Sequence, residues 1–282
     1  MNQFSDQNNK TESGSNAVDE RFSRRGVLKA GIAAGAGVAA LAFRQGQSPA
    51  QRQPGKTTLV DYTMVIDRKD TALVVIDPQN DVLSEKGVSW NLLRDSLKKN
   101  NTVENLARFF KVAKNRDLCV FISPHYLYPH DQAWQFGGAV EQSMLEDKEF
   151  WRPGPLTLAG FSGSGADWLE RFKPFIEDGK TVVASPHKVY GLQSNDLVLQ
   201  LRKRRISRVI LAGMMANLCV ETHLRELLEQ GFEVAVVKDA TAAPKHPSWG
   251  YGYTAALINY AFLAHAVLLA EEVIKAMKRG QR

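Results

Sequence analysis

The stretch Ala72-Leu-Val-Val-Ile-Asp77 is the clearest structural signal in the chain, because five apolar residues run directly into a carboxylate. A short, continuously apolar run that is rich in β-branched residues is typical of a strand buried on both faces of a parallel sheet. In such sheets, ligands bind beyond the carboxyl ends of the strands. Asp77 is therefore the first residue to consider for chemistry.

Similar short apolar runs recur along the chain and alternate with longer amphipathic stretches. The predicted strands cover residues 72–76, 118–123, 181–185, 208–212, 233–237 and, more weakly, 266–269. The predicted helices cover residues 90–115, 166–177, 196–204, 219–229, 253–263 and 271–279. This alternation predicts an α/β fold of three αβα layers around a doubly wound, mostly parallel sheet of about six strands. Residues 124–164 lack periodicity, and a loop of that length is typical of a pocket wall or lid.

Composition is that of an ordinary globular protein. Of the 282 residues, 44% are hydrophobic and 23% are charged, and 36 Lys and Arg face 30 Asp and Glu, for a net charge of +6. This excess is too mild and too dispersed to predict a nucleic-acid partner. The densest basic cluster, residues 202–205, ends a predicted helix, where cations complement the helix dipole.

Residues 1–50 are predicted to be an export signal within a disordered N-terminus, and residues 51–282 the folded domain. The stretch Ser23-Arg-Arg-Gly-Val-Leu-Lys29 resembles a twin-arginine signal, and the weakly apolar run 30–43 that follows is well short of the roughly twenty residues that span a bilayer. Small residues before Gln51 predict cleavage near Ala50. The twin-arginine translocation machinery is then a partner and the periplasm the destination, with an uncleaved anchor or a plain tail as alternatives.

The chain has two cysteines in different settings. Cys119 lies inside an apolar run, as a buried strand residue would, whereas Cys219 opens a predicted helix. Two side chains held in separate elements rarely meet the geometry of a disulfide by chance. We therefore expect two free thiols.

Three motifs in a fixed order resemble the isochorismatase-like cysteine hydrolases, the superfamily of nicotinamidases and N-carbamoylsarcosine amidase. They are Ala72-Leu-Val-Val-Ile-Asp77-Pro-Gln-Asn-Asp81, Lys188 after the third strand, and Gly213-Met-Met-Ala-Asn-Leu-Cys219-Val-Glu221 with Gly231-Phe-Glu-Val-Ala-Val-Val-Lys-Asp239. The resemblance covers roughly residues 68–275. Three motifs in the right strand context are specific in a way that one short motif is not.

The resemblance implies a catalytic set of Asp77 as base, Lys188 as supporting cation and Cys219 as nucleophile. It also implies an oxyanion hole from the backbone N–H groups of Met215 and Cys219, and a cis peptide at Met214–Met215. A thiol at a helix N-terminus beside an ammonium should have a pKa below its free value of about 8.5. The implied reaction is two-step covalent hydrolysis through an acyl-enzyme.

The chain departs from the family pattern at two places. Pro124 stands where many nicotinamidases have the aspartate of a metal motif, so no metal and no cofactor are expected, although His125, His130 and His187 remain possible ligands. The family often continues its lysine with a small residue and then Phe, whereas this chain has Val189 and Tyr190, which leaves the usual substrate-facing aromatic open. The residues that we expect to contact substrate are Trp134, Phe136, Trp151, Tyr190 and Asn217.

The expected substrate is a small molecule with a C–N bond, namely an amide, a ureide or a carbamoyl compound. Two other functions stay open: an isochorismatase-type hydrolase that uses Asp77 without the thiol, and a non-catalytic small-molecule binding protein. Helix 253–263 has apolar residues to spare for an interface, so a homo-oligomer is expected.

Overall fold

A computed structural model describes residues 64–279, which form a six-stranded parallel sheet between two layers of helices. The sheet strands are β1 (Thr71–Ile76), β2 (Cys119–Ser123), β3 (Val182–Val183), β4 (Arg208–Met214), β5 (Glu233–Ala242) and β8 (Ala266–Leu268). Their order is β3-β2-β1-β4-β5-β8, and every neighbouring pair is parallel. A small antiparallel pair is formed by β6 (Lys245–His246) and β7 (Gly250–Tyr251). The predicted doubly wound α/β fold is confirmed.

The helices divide between the two faces of the sheet. They are α1 (Asn80–Leu83), α2 (Trp90–Asn100), α3 (Thr102–Asn115), α4 (Ala139–Glu146), α5 (Lys173–Ile176), α6 (Leu197–Lys203), α7 (Glu221–Glu229), α8 (Gly252–Leu263) and α9 (Ala270–Arg279). Short 3-10 turns cover Pro129–Ala133, Glu170–Phe172 and Leu192–Ser194. Alternate residues of β1 face opposite sides: Leu73 packs into the core under α2, α3 and α9, and Val74 into the core under α6, α7 and α8.

Two predicted helices are wrong in part. The predicted helix 90–115 is two helices, because Asn101 adopts a left-handed conformation with φ 53° between them. The predicted helix 166–177 is mostly irregular: Trp168 forms a β-bridge with Gln79, and only Glu170–Phe172 and α5 are helical. Pro174 explains the break, since it cannot donate the hydrogen bond that a continuous helix requires at this position.

The strand order reverses between β1 and β4, so the chain crosses over to opposite sides from this pair. Such a switch point leaves a crevice at the carboxyl ends of the two strands. Gly213 near the end of β4 has φ 115°, and a Cβ at this position would lie 2.1 Å from the carbonyl oxygen of Ile76. Only glycine lets the two backbones run together at the crevice.

The N-terminal predictions fall outside the described residues, since residues 1–63 are not among them. Within residues 64–279, no helix combines the length and the apolar character that crossing a membrane requires. Cys119 and Cys219 are both free thiols.

Candidate active site

Asp77 lies at the carboxyl end of β1, inside the crevice. Its side chain is buried, and its backbone takes the left-handed conformation with φ 48°, which is uncommon for a residue other than glycine. The backbone N–H donates to the carbonyl of Ser123 at 3.0 Å, which ties the turn to the end of β2. The carboxylate therefore has a fixed position.

Cys219 reaches the same place from the other strand of the switch point. The peptide Met214–Met215 at the end of β4 is cis, as expected, and the next residues, Ala216–Val220, form one wide turn in which Val220 N–H donates to Met215 O at 3.2 Å. The buried thiol lies 2.9 Å from the carbonyl oxygen of Val189. The backbone N–H of Met215 is also directed at the sulfur atom.

His187, rather than Lys188, completes the cluster. The ligand atoms of Asp77, His187 and Cys219 all lie within 4.8 Å of one another, and all three side chains are buried. His187 Nε2 is 2.9 Å from Asp77 Oδ1, and Nδ1 is 2.5 Å from the carbonyl oxygen of Lys188. A carbonyl can only accept, so Nδ1 carries a proton, and Nε2 and Asp77 share one further proton between them.

The ammonium of Lys188 is engaged elsewhere. It donates to Asp131 Oδ2 at 2.6 Å and to Tyr126 O at 3.2 Å, and it lies 4.5 Å from the centre of the Tyr128 ring. The structure thus brings together Asp77 and Cys219 of the predicted catalytic set, and it brings His187 to them instead of the neighbouring lysine. Successive side chains of an extended segment point to opposite sides, so an offset of one residue exchanges the two.

The expectation of a lowered thiol pKa is wrong. Burial raises the pKa of Cys219 well above its ordinary value, and the charge and hydrogen bond of Asp77 raise it further, against a smaller lowering by the Met215 N–H. Burial also raises the pKa of Asp77, while His187 lowers it. The thiol is therefore protonated at rest, and a base must remove its proton.

Two more histidines surround His187, and sequence reasoning gave His223 no role. His223 Nδ1 donates to Cys219 O at 2.7 Å, so its Nε2 accepts from the Ser123 hydroxyl at 2.9 Å. Its ring meets that of His187 edge-on, with centroids 4.9 Å apart. His125 stacks on His187 with ring centroids 5.0 Å apart and is buried, and neither of its ring nitrogens has a hydrogen-bond partner among the described residues.

Burial lowers the pKa values of His125 and His223, which keeps both rings neutral near pH 7. His130, the third histidine considered as a ligand, is exposed on the turn Pro129–Ala133 and lies 3.7 Å from Asp131 Oδ1. A signal in the sequence could have pointed to His187: His125 and His187 each follow a predicted strand within a few residues. The structure pairs the two in a parallel β-bridge just beyond β2.

The residues predicted to contact substrate fall into different settings. Tyr190 follows Val189, whose carbonyl lies 2.9 Å from the Cys219 sulfur; it is 37% exposed and donates from its hydroxyl to Glu141 on α4 at 3.4 Å. Asn217 lies in the wide turn before Cys219, and its buried Oδ1 has no hydrogen-bond partner within residues 64–279. Trp134 and Phe136 are 38% and 90% exposed.

Trp151 lines a different cavity. This space of about 700 Å³ is bounded by Asp81, Lys148 and Gly165, among others, and neither Asp77 nor Cys219 lines it. Trp151 also forms a β-bridge with Leu127, and the ammonium of Lys148 lies 6.0 Å from its ring centre. The structure does not bring this side chain to the cluster.

Comparison with known proteins identifies the same fold and the same family pattern. The family model described as Isochorismatase domain matches residues 71–267. Ureidoacrylate amidohydrolase RutB from Variovorax paradoxus is 24% identical over 184 residues, which are 63% of this chain and 71% of that protein.

Two solved structures represent the structural matches. A cysteine hydrolase from Pseudomonas syringae pv. phaseolicola has a TM-score of 0.64 at 19% identity and covers 78% of this chain and 97% of its own. Nicotinamidase PncA from Bacillus subtilis has a TM-score of 0.52 at 18% identity and covers 71% of this chain and 99% of its own. At these identities the structures support the fold.

Proposed function

Because the chain belongs to the isochorismatase family of hydrolases, we propose that it hydrolyses a C–N bond of a small molecule, with Cys219 as covalent nucleophile. One observation carries the proposal: the thiol, the carboxylate of Asp77 and the imidazole of His187 meet within 4.8 Å, buried at the switch point of the sheet. A nucleophile next to a base that is held by a third group is the arrangement that covalent hydrolysis needs.

The first step transfers the thiol proton to Asp77 as the sulfur attacks the substrate carbon. When the shared proton lies on His187 Nε2, Asp77 is a carboxylate that can accept the thiol proton, and His187 is the cation beside it. His187 therefore supplies the positive charge expected of Lys188. Because the pKa of the buried thiol is high, transfer of its proton during the attack is more favourable than formation of a thiolate beforehand.

The tetrahedral intermediate then collapses and releases an amine. Its oxyanion lies next to the sulfur, where the Met215 N–H already points, and that of Cys219 is the second donor proposed. Asp77 returns the proton to the departing nitrogen as the C–N bond breaks, which leaves a thioester on Cys219. Water activated by Asp77 then hydrolyses the thioester and frees the acid and the thiol.

An amide, a ureide or a carbamoyl compound is the proposed substrate class. The relative RutB is a ureidoacrylate amidohydrolase, which favours a ureide among these three classes. Tyr190, next to the residue whose carbonyl contacts the thiol, and the unpartnered Oδ1 of Asn217 are the ring and the acceptor proposed for such a substrate. An amide N–H on the substrate would satisfy that acceptor.

The test is a panel of small amides, ureido acids and carbamoyl compounds, with ammonia release and product mass as the readout. Cys219→Ala should lower turnover about a thousandfold or more, whereas the matched control Cys119→Ser should keep wild-type turnover. Trapping a thioester on Cys219 by acid quench and mass spectrometry would support the covalent step.

Two results would favour the other functions. Undiminished turnover by Cys219→Ala would assign the chemistry to Asp77 without the thiol. Tight binding of a panel compound by the wild type, with no turnover of any compound, would favour a binding protein on a hydrolase fold.

Assembly and export are further proposals. The exposed Ile258 and Phe262 of α8 support a homo-oligomer through that helix, which light scattering of the purified chain would test. Export by the twin-arginine machinery to the periplasm rests on residues 23–43 and is tested by fractionation with Arg24→Lys and Arg25→Lys together.

A further inference from the structure

We propose that Asp77, His187 and Cys219 form a binding site for a thiophilic divalent metal of the Zn²⁺ class, whose occupancy blocks turnover. The blocking role rests on the function proposed above, because it takes Cys219 out of use as a nucleophile. The metal binding itself rests on the geometry of the three side chains.

The donor set is the first argument. One sulfur, one imidazole nitrogen and one carboxylate oxygen lie within 4.8 Å of one another and are buried. Tetrahedral ligands at about 2.0–2.3 Å from zinc stand roughly 3.3–3.8 Å apart, so small side-chain movements would close the set around an ion. Thiolate and imidazole favour Zn²⁺ over Mg²⁺ and Ca²⁺.

The orientation of His187 is the second argument. Its Nδ1–H donates to the backbone carbonyl of Lys188 at 2.5 Å, and this bond turns Nε2 toward Asp77 and Cys219. Metal-binding histidines commonly donate their other ring N–H to a backbone carbonyl or a carboxylate, which fixes the tautomer and the ring plane. The ring also contacts the rings of His125 and His223, at centroid distances of 5.0 and 4.9 Å.

Charge is the third argument. A lysine ammonium among the ligands would repel a dication, but the ammonium of Lys188 is paired with Asp131 at 2.6 Å. Binding of Zn²⁺ would displace two protons, one from the thiol and the one shared by Asp77 and His187. The resulting set of Zn²⁺, thiolate, carboxylate and neutral imidazole has no net charge, which suits a buried position.

The cluster is also singular within residues 64–279, where no other three His, Cys, Asp or Glu side chains bring their ligand atoms together in this way. The ion would have three protein ligands and one open position for water. The thiolate of Cys219 would bind the metal through the lone pair that attacks the substrate. The carboxylate of Asp77, which should accept the thiol proton, would bind the metal as well. Occupancy and hydrolysis through Cys219 thus exclude each other.

The experiment measures metal binding directly, on the full-length chain stripped with a chelator and kept reduced. Equilibrium dialysis against Zn²⁺ should give one ion per chain, and titration with Co²⁺ should give a sulfur-to-cobalt charge-transfer band. Cys219→Ala should abolish the band, and both Cys219→Ala and His187→Gln should weaken zinc binding by more than about tenfold. Cys119→Ser and His246→Asn, which change residues outside the cluster, should bind like the wild type.

Circular dichroism of each variant shows whether it is folded. The charge-transfer band of the wild type tests the site even if a variant does not fold. No charge-transfer band in the wild type, or a band kept by Cys219→Ala, would overturn the site. One bound zinc that leaves thiol-dependent turnover unchanged, or raises it, would overturn the blocking role.

The two proposals fail separately. Thiol-dependent turnover without metal binding removes only the metal site. Metal binding through Cys219 in a chain that hydrolyses no compound of the panel removes the hydrolase proposal and the blocking role, and leaves the binding site.

Discussion

The two sides of the candidate site are built differently. On the sheet side, Asp77, His187 and Cys219 are buried at the ends of rigid elements, and each has a hydrogen-bond partner of its own. On the opposite side, residues 124–164 contain only α4 and one 3-10 turn. Some of them, such as His125 and Phe150, are buried, but residues 132–136 are exposed and include the large rings of Trp134 and Phe136.

This difference assigns separate tasks to the two sides. Groups that react must be held within a fraction of an ångström, which a switch point between parallel strands provides. Exposed residues of this segment can change without disturbing the fold, which suits the choice of substrate. We therefore expect changes on the sheet side to affect chemistry and stability strongly, and changes at the exposed residues of 124–164 to affect substrate binding mildly.

The largest effect should separate His187 from Lys188. His187→Gln removes the ring that contacts Asp77, so kcat/KM should fall by about two to three orders of magnitude. Lys188→Met breaks an ion pair with Asp131 outside the cluster and should lower kcat/KM by less than about tenfold. The measurement is steady-state kinetics of both variants on the same substrate; a larger loss in Lys188→Met would restore the lysine as the cation of the site.

The next effect concerns stability on the sheet side. Gly213→Ala would place a Cβ 2.1 Å from the Ile76 carbonyl at φ 115°, so the free energy of unfolding should fall by about 3 kcal/mol or more. Gly160→Ala, with φ 67° and open space around it, should cost about 1 kcal/mol. Urea unfolding of both variants gives the two values, and equal losses would mean that the sheet side is no more rigid than the segment.

The sheet could be predicted from sequence because its signals are local. Runs such as 72–76 and 208–212 are apolar throughout, and each βα unit repeats the same alternation. The two wrong helices depend on single residues, the left-handed Asn101 and Pro174, whose effects a periodic pattern averages out. The second error lies close to the site, because Trp168 forms a β-bridge with Gln79, two residues after Asp77.

The site could be predicted only in part. Asp77 and Cys219 follow strong motifs, but β3 has two residues and the segment after it departs from the family pattern, so the register of His187 and Lys188 was open. The predicted lowering of the Cys219 pKa is wrong for a related reason. The prediction assumed a lysine ammonium beside the sulfur, and burial against a carboxylate acts in the opposite direction.

The free energy of unfolding should depend on pH through Glu149, a buried residue of the segment 124–164 that accepts a hydrogen bond from Ser89. Burial raises the pKa of Glu149 to about 7, against a lowering by its bond to Ser89. The folded chain therefore holds a proton that the unfolded chain releases near pH 4, so stability is full below that pH and falls by about 2–3 kcal/mol as the pH rises to about 7.

Glu149→Gln keeps a neutral side chain of the same shape, and it should lose less stability than the wild type between pH 5 and 8. The exposed neighbour Glu146 offers the control Glu146→Gln, which should follow the wild-type curve. The measurement is urea unfolding at several pH values. Parallel curves for Glu149→Gln and the wild type would mean that other groups set the pH dependence.

The smallest effect is expected at Phe136, whose side chain is 90% exposed three residues before α4, the helix that contacts Tyr190 through Glu141. Phe136→Ala should leave the free energy of unfolding within about 0.5 kcal/mol of wild type. It should raise KM by about two- to fivefold, equivalent to at most about 1 kcal/mol of binding, and leave kcat unchanged. Leu156→Ala, at a 99% exposed residue of the same segment, should change neither constant. A fall in kcat with KM unchanged would involve the exposed residues of this segment in the chemistry and would contradict the division between the two sides, because an exposed ring can act on kcat only by moving the buried groups.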